Sequence, residues 1–154
     1  MSKQPTFDVA AAHRYFAAHC FNAAWDLIDQ PARTADEDRL MEALNQASLY
    51  HWRQRPDCTA QQLSVGYWQA SRIQALLGRA AEAARHAQAC LDHSAGLPPF
   101  YVGYAHEALA RAARLAGDAP QAAAHLAQAR AQAALVPDAD DRALLLKDLD
   151  ALAP

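Results

Sequence analysis

The segment Gly78-Arg79-Ala80-Ala81-Glu82-Ala83-Ala84-Arg85-His86 returns thirty-nine residues later as Gly117-Asp118-Ala119-Pro120-Gln121-Ala122-Ala123-Ala124-His125. The glycine, the Ala-Ala pair and the histidine are identical in the two copies. Upstream, Leu76 falls on Leu115 and Arg72 on Arg111. The pattern has a mechanical reading. Glycine supplies the left-handed turn that ends one helix, and alanine lets the next helix lie close against it. The repeated unit is therefore a helical hairpin. Val65-Gly66-Tyr67 also matches Val102-Gly103-Tyr104 at an offset two residues shorter. The turn-based register covers more residues and a defined structural feature.

Helix signals continue on both sides of the repeat and predict about seven helices and no strand. The first is expected from near Phe7 to Ile28, with Thr6 as its cap and Gln30-Pro31 as its stop. Phe16, Cys20, Ala24, Leu27 and Ile28 fall on one face at helical spacing. Thr34-Ala35-Asp36-Glu37 reads as a capping box opening the second helix, with Leu40, Leu44, Ala47 and Tyr50 or His51 as its core stripe. The third opens at Thr59 and closes at Gly78, and the fourth covers roughly Ala80 to His93. The fifth runs from about Pro99 to Ala116, since proline is tolerated in a first turn. Asp118 caps the sixth, which reaches about Leu135, and Val136-Pro137-Asp138 introduces a short seventh. The reading is one all-α domain over residues 1–154, with hairpins at about 6–55, 59–94 and 99–135 and a capping helix at about 138–152.

Composition narrows the function classes. The chain has 154 residues and a formal net charge of -3, with no basic stripe of the kind that nucleic-acid binding needs. Cys20, Cys58 and Cys90 are far apart and odd in number, so free thiols in a reducing cytoplasm are expected. No secretory leader is visible at the N-terminus, and no apolar run is long enough to span a membrane. The histidines offer no HExxH or paired E-x-x-H arrangement, so no metal is expected. His86 and His125 recur at the same repeat position, which points to a shared structural role. No nucleophile elbow, phosphate-cradling glycine loop or other catalytic motif occurs. Neither catalysis nor a cofactor is expected.

The glycine, the position of Glu82 or Gln121, and the alanine after it resemble the turn and second helix of a tetratricopeptide (TPR) repeat. Ser71 and Ala110 stand where that family has a small residue in the first helix, and Tyr67 where it has a large aromatic. Several positions depart. The aromatic becomes His106 in the second copy, the mid-helix tyrosine is Gln74 or Ala113, and the closing proline is missing. The period is also longer than the family's roughly 34 residues, the excess lying near Ser94 to Pro99. The likeness covers residues 60 to 135.

The resemblance implies a stack of antiparallel hairpins forming a TPR-like right-handed array. Its concave groove, lined by first helices, would bind a protein or peptide segment. The groove positions carry over to Val65, Trp68, Arg72 and Leu76 on one strip and Tyr104, Glu107, Arg111 and Leu115 on the next, with Tyr101 one turn earlier. Arginines among aromatics suit a carboxylate or phosphate with stacked apolar contacts. The plainer reading is that Arg72 lies over Trp68 and Arg111 pairs with Glu107, both at helical i,i+4 spacing. The aromatics of Tyr50-His51-Trp52 and Tyr67-Trp68 are either core or the wall of a pocket in which His51 is the polar group. The function expected is a non-catalytic, cytoplasmic interaction module. The alternatives are a binder of a small anionic ligand or a small enzyme with an aromatic-lined pocket, and a homo-oligomeric structural protein.

Overall fold

The computed structural model describes residues 4–153 of the chain. It is all-helical: α1 (Val9–Ile28), α2 (Ala35–Arg53), α3 (Ala60–Leu76), α4 (Ala80–Ser94), α5 (Pro99–Leu115), α6 (Ala119–Ala133) and α7 (Ala139–Leu152), with no strand among the described residues. Consecutive helices pair as hairpins: α1 with α2, α3 with α4, and α5 with α6. The chain divides into two compact units, Met1–Thr59 and Ala60–Pro154.

In the first unit, the capping box at Thr34 forms as its residues dictate. The Thr34 hydroxyl accepts from the Glu37 N–H at 3.2 Å, and the Glu37 carboxylate accepts from the Thr34 N–H at 2.7 Å. The cap of α1 is Asp8, not Thr6; its carboxylate accepts from the Ala11 N–H at 3.0 Å. A carboxylate at this position both satisfies an open backbone donor and suits the positive end of the helix dipole.

The expected face of α1 holds except at Phe16, and on α2 the core lies one position away from the expected stripe. Ala17, Cys20, Ala24, Leu27 and Ile28 are buried on α1, whereas Phe16 is exposed. On α2 the inward residues are Met41, Asn45, Ser48 and Leu49, while Leu40 and Tyr50 face outward. A small polar residue enters this face because its hydrogen bond is satisfied there: the buried Ser48 hydroxyl donates to the Ala17 carbonyl at 2.7 Å. Met41 and Leu49 fill the apolar part of this face, and Leu40, one position from Met41, is exposed.

In the second unit the two repeated turns agree bond for bond. Gly78 has φ +72° and Gly117 φ +76°, the region glycine alone enters without steric cost. Gly78 N–H donates to the Ala75 carbonyl and Arg79 N–H to that of Gln74; Gly117 donates to Arg114 and Asp118 to Ala113, each partner shifted by the repeat. Such paired bonds satisfy carbonyls left open at the end of a helix. Asp118 and Asp138 then cap α6 and α7, accepting from Gln121 N–H and from the N–H groups of Asp140 and Asp141.

Helix α5 is the hub of this unit, packing against α3, α4, α6 and α7. From Gly103 to Ala112 nearly every residue is buried, Tyr104 and Arg111 excepted. Gly103 makes the close approach of α7 feasible: a Cβ there would sit 2.6 Å from Leu145 Cδ2. Ala129, Ala133, Leu145 and Leu149 close the α6–α7 side, with Tyr104 and Leu126 packed on them. Full burial of a leucine such as Leu145 contributes about 1.5–3 kcal/mol.

Between α3 and α4 the seam is again small and polar. Ser71 donates to the Ala83 carbonyl at 2.8 Å, and Ser94 to the Cys90 carbonyl at 2.7 Å. Ser64 stands 2.7 Å from Ser94, so its hydroxyl donates into the oxygen that Ser94 leaves free. Cys20, Cys58 and Cys90 are free thiols. Burial pushes the Cys90 thiol up to about 11, and burial also raises Cys20 and Cys58.

Candidate functional site

The paired strips on α3 and α5 lie side by side, joined by residues that occupy the same place in the repeat. The Trp68 indole Nε1–H donates to Glu107 Oε2 at 2.9 Å. Arg111, one turn on from Glu107, forms an ion pair with Oε1 of the same carboxylate. Glu107 is completely buried, while the Arg111 side chain keeps 20% of its surface exposed. A carboxylate withdrawn from water costs several kcal/mol unless its lone pairs are answered, and here the indole and the guanidinium answer both oxygens. Arg111 Nε is itself buried and has no hydrogen-bond partner among the described residues.

The aromatic residues form the adjoining wall. Tyr104 sits edge-on to Trp68, with ring centroids 5.5 Å apart, and edge-on to Phe100 at 5.0 Å. Its hydroxyl donates to Asp148 Oδ2 at 2.8 Å, tying α5 to α7. Burial, reinforced by that carboxylate, holds the phenol far above its ordinary value, so Tyr104 remains a neutral donor. Tyr101 is half-buried and meets the edge of Phe100 at 5.5 Å.

Beyond the Trp68–Glu107–Arg111 junction the strips open into a cleft of about 360 Å³. Arg72, Leu76, Arg111, Leu115, Arg114 and Leu152 line it, with no acidic residue among the described lining. Arg114 reaches across to the last turn of α7, donating to the Leu152 carbonyl at 2.7 Å and less closely to that of Ala153 at 3.4 Å. On the far side of Arg114 and Leu152 lies a second, apolar cleft of about 270 Å³, walled by Ala122, Ala123 and Leu126. Three guanidiniums beside leucine side chains can receive an oxyanion attached to an apolar body.

Of the residues singled out in the sequence, Trp68, Arg72, Tyr101, Tyr104, Glu107 and Arg111 are thus all on α3 and α5 of the second unit. They divide by role. Arg72 and Arg111 face the cleft, whereas Glu107 is enclosed and acts through Arg111. The hydroxyl of Tyr104 and the indole of Trp68 are engaged within the protein. Arg114, Leu152 and Asp148 escape a reading confined to two strips. The repeat does not single out Arg114, whose counterpart is Ala75, a residue of the same cleft lining.

His51 lies in the first unit, on α2. Its Nδ1 is 2.8 Å from Nδ1 of His13, and Phe16 lies against its ring at 5.4 Å. Trp52 carries Arg55, whose guanidinium carbon sits 4.0 Å above the ring. A second histidine pair joins His106 of α5 and His125 of α6, with Nδ1 atoms 3.2 Å apart. In each pair one imidazole must present N–H and the other a lone pair. Burial, and then the neighbouring His13, lowers His51. Burial followed by His125 lowers His106, and burial alone lowers His125. The hairpin α3–α4 holds the repeat-equivalent of the second pair, Tyr67 stacked near His86 with centroids 6.2 Å apart. Among the described residues, no group of three or more His, Cys, Asp or Glu side chains could hold a metal ion. None of the helices there is long and apolar enough to cross a membrane.

The chain matches no model of a known family, no curated protein and no solved structure.

Proposed function

We propose that the protein is a non-catalytic, TPR-like interaction module that captures a segment of a partner protein on the face formed by α3 and α5. The observation that carries this reading is the cleft beside the Trp68–Glu107–Arg111 junction. Arg72 and Arg111, identical in the repeat, meet there with Arg114 around one space. Arginine forks match the plane of a carboxylate, and the leucines around them offer contact area. The buried Glu107 supports the reading from beneath, because a guanidinium held by a rigid carboxylate is already oriented when a ligand arrives. Tyr101 and Tyr104 extend the same face towards the start of α5. A reducing, cytoplasmic location accords with three free thiols.

The test is affinity capture of partners by the wild type and by Arg72→Glu, with circular dichroism to confirm that both are folded. Arg72 is the residue to reverse. A glutamate at position 111 would set two carboxylates against each other in a buried site, and the variant would fail by unfolding. Loss of a charge-assisted contact of about 1.5–3 kcal/mol weakens a partner about tenfold to a hundredfold. A folded Arg72→Glu protein that retains every partner of the wild type rules the cleft out as the capture site.

A further inference from the structure

Hydrophobic spacing in the first unit marks more surface than its one seam covers. On α2, Leu40, Leu44, Ala47 and His51 recur at helical intervals and form a single stripe of about three turns. The seam with α1 uses the neighbouring stripe, where Met41, Asn45, Ser48 and Leu49 are buried. Leu40 is left exposed, and Leu44, Ala47 and His51 half-buried. The outer stripe continues onto α1 through rings in contact. Between centroids, Phe16 lies 5.4 Å from His51, Tyr15 5.1 Å from Phe16, and Tyr50 5.3 Å from His51. We propose that this face of the α1–α2 hairpin is a self-association surface: in two copies of the chain it packs on itself about a two-fold axis and closes a four-helix bundle.

Closure, charge and area each favour a second copy as the occupant. A hairpin of two helices buries one stripe of each, and the first unit holds two helices. Two such hairpins face to face make a four-helix bundle, in which every helix gains another neighbour and the outer stripes are covered. Neither the stripe nor the three rings beside it include a carboxylate, a lysine or an arginine, so a two-fold contact sets no like charges together. Tyr15, Phe16, Leu40 and Tyr50 are 59%, 41%, 51% and 57% exposed. At about 150–250 Å² for each aromatic side chain, these four offer about 400 Å² of apolar surface per copy. A contiguous patch of that size marks an interaction site. Doubled, and with the half-buried residues between, it approaches the lower end of the roughly 1,200–2,000 Å² that specific complexes bury. The dimer is therefore a reversible one. The inference is independent of the α3–α5 capture face, which belongs to the second unit.

The test is sedimentation velocity of the full chain at about pH 7.5, from about 1 µM to about 500 µM, a range suited to a small interface. Expected is a reversible rise from 16.7 kDa towards twice that mass. Phe16→Glu/Leu40→Glu alters two exposed side chains, remains folded by circular dichroism, and weakens the dimer about tenfold or more by burying unpaired charge. Leu135→Glu, at an exposed leucine of the second unit, leaves it unchanged. A monomer throughout the range overturns the proposal. So does a dimer that the double variant leaves intact, or one that Leu135→Glu weakens as much. If the double variant unfolds, a mixture of isotope-labelled and unlabelled wild type decides by nuclear magnetic resonance. Contacts between copies at the Leu40 methyl groups and the Phe16 ring support the proposal, and a dimer without them overturns it.

Discussion

Trp68 and Glu107 are the same position of the repeated helix, and they hydrogen-bond to each other across the α3–α5 contact. The repeat thus joins its two copies through unlike residues, an indole donor and a carboxylate acceptor, where sequence alone shows only a mismatch. Because Glu107 is buried with both oxygens engaged, its partners are held to it as firmly as it is to them.

Glu107→Ala strands the Arg111 guanidinium and the Trp68 N–H, and is expected to lower the stability of the second unit by about 3–5 kcal/mol. Arg111→Met, which leaves the carboxylate buried without its cation, should cost about as much. Urea unfolding followed by tryptophan fluorescence measures both. A loss below 1 kcal/mol, a surface ion pair's worth, would show that water reaches the site.

Acid should destabilise the fold before its carboxylates titrate. His51, His86, His106 and His125 are all lowered from the ordinary value of 6.5, with burial the leading cause in each. A lowered histidine takes up its proton more readily in the unfolded chain, so its contribution is complete above about pH 6.5 and declines as the pH falls below it. The urea midpoint is expected to drop between about pH 7.5 and about pH 5.5, and His106→Gln to flatten that slope. A midpoint that rises towards acid, or a slope untouched by the substitution, contradicts this.

Gly103→Ala sets two effects against each other. Alanine in a helix is worth about 1 kcal/mol over glycine, but the new Cβ meets Cδ2 of the fully buried Leu145, which must shift. Overpacking of that kind costs about 1–3 kcal/mol, so a net loss near 1 kcal/mol is expected. Combining it with Leu145→Val should cost less than the sum of the two single changes. Thermal melts of the four proteins give the coupling directly, and strict additivity would mean that α5 and α7 do not touch at this point.

Thr34→Ala removes half of the capping box of α2 and is expected to cost about 1 kcal/mol, felt in the first unit. Hydrogen exchange should quicken at the amides of α2's first turn and leave α5 unchanged. Protection lost equally in both units would show that they unfold as one.

The parts of the fold legible in the sequence are those governed by local chemistry. Gly78, Gly117, Asp118, Asp138 and the Thr34–Glu37 box mark turns and caps through their own backbone requirements, and each does so in the structure. Helix faces are less legible. On α2, Leu40 and Leu44 keep helical spacing as well as Met41, Asn45 and Ser48 do. Hydrophobicity favours the leucines, but the seam against Ala17 favours a small hydroxyl that can donate to its carbonyl. The candidate site followed the same rule. Arg72 and Arg111 are legible because they repeat. The burial of Glu107, the bond from Tyr104 to Asp148 and the reach of Arg114 depend on which helix covers which, and α7 carries no repeat signature to announce it.

The three thiols have a practical consequence. Cys58 sits in the segment between α2 and α3, partly open to solvent, while Cys20 and Cys90 are enclosed in the first and second units. A thiol reagent meets the first at once and the others only when the surrounding helices part. Labelling over time, resolved by peptide mass, therefore acts as two independent clocks for the opening of the two units. Neither needs an introduced probe, and a bound ligand that slows one clock alone declares which unit it occupies.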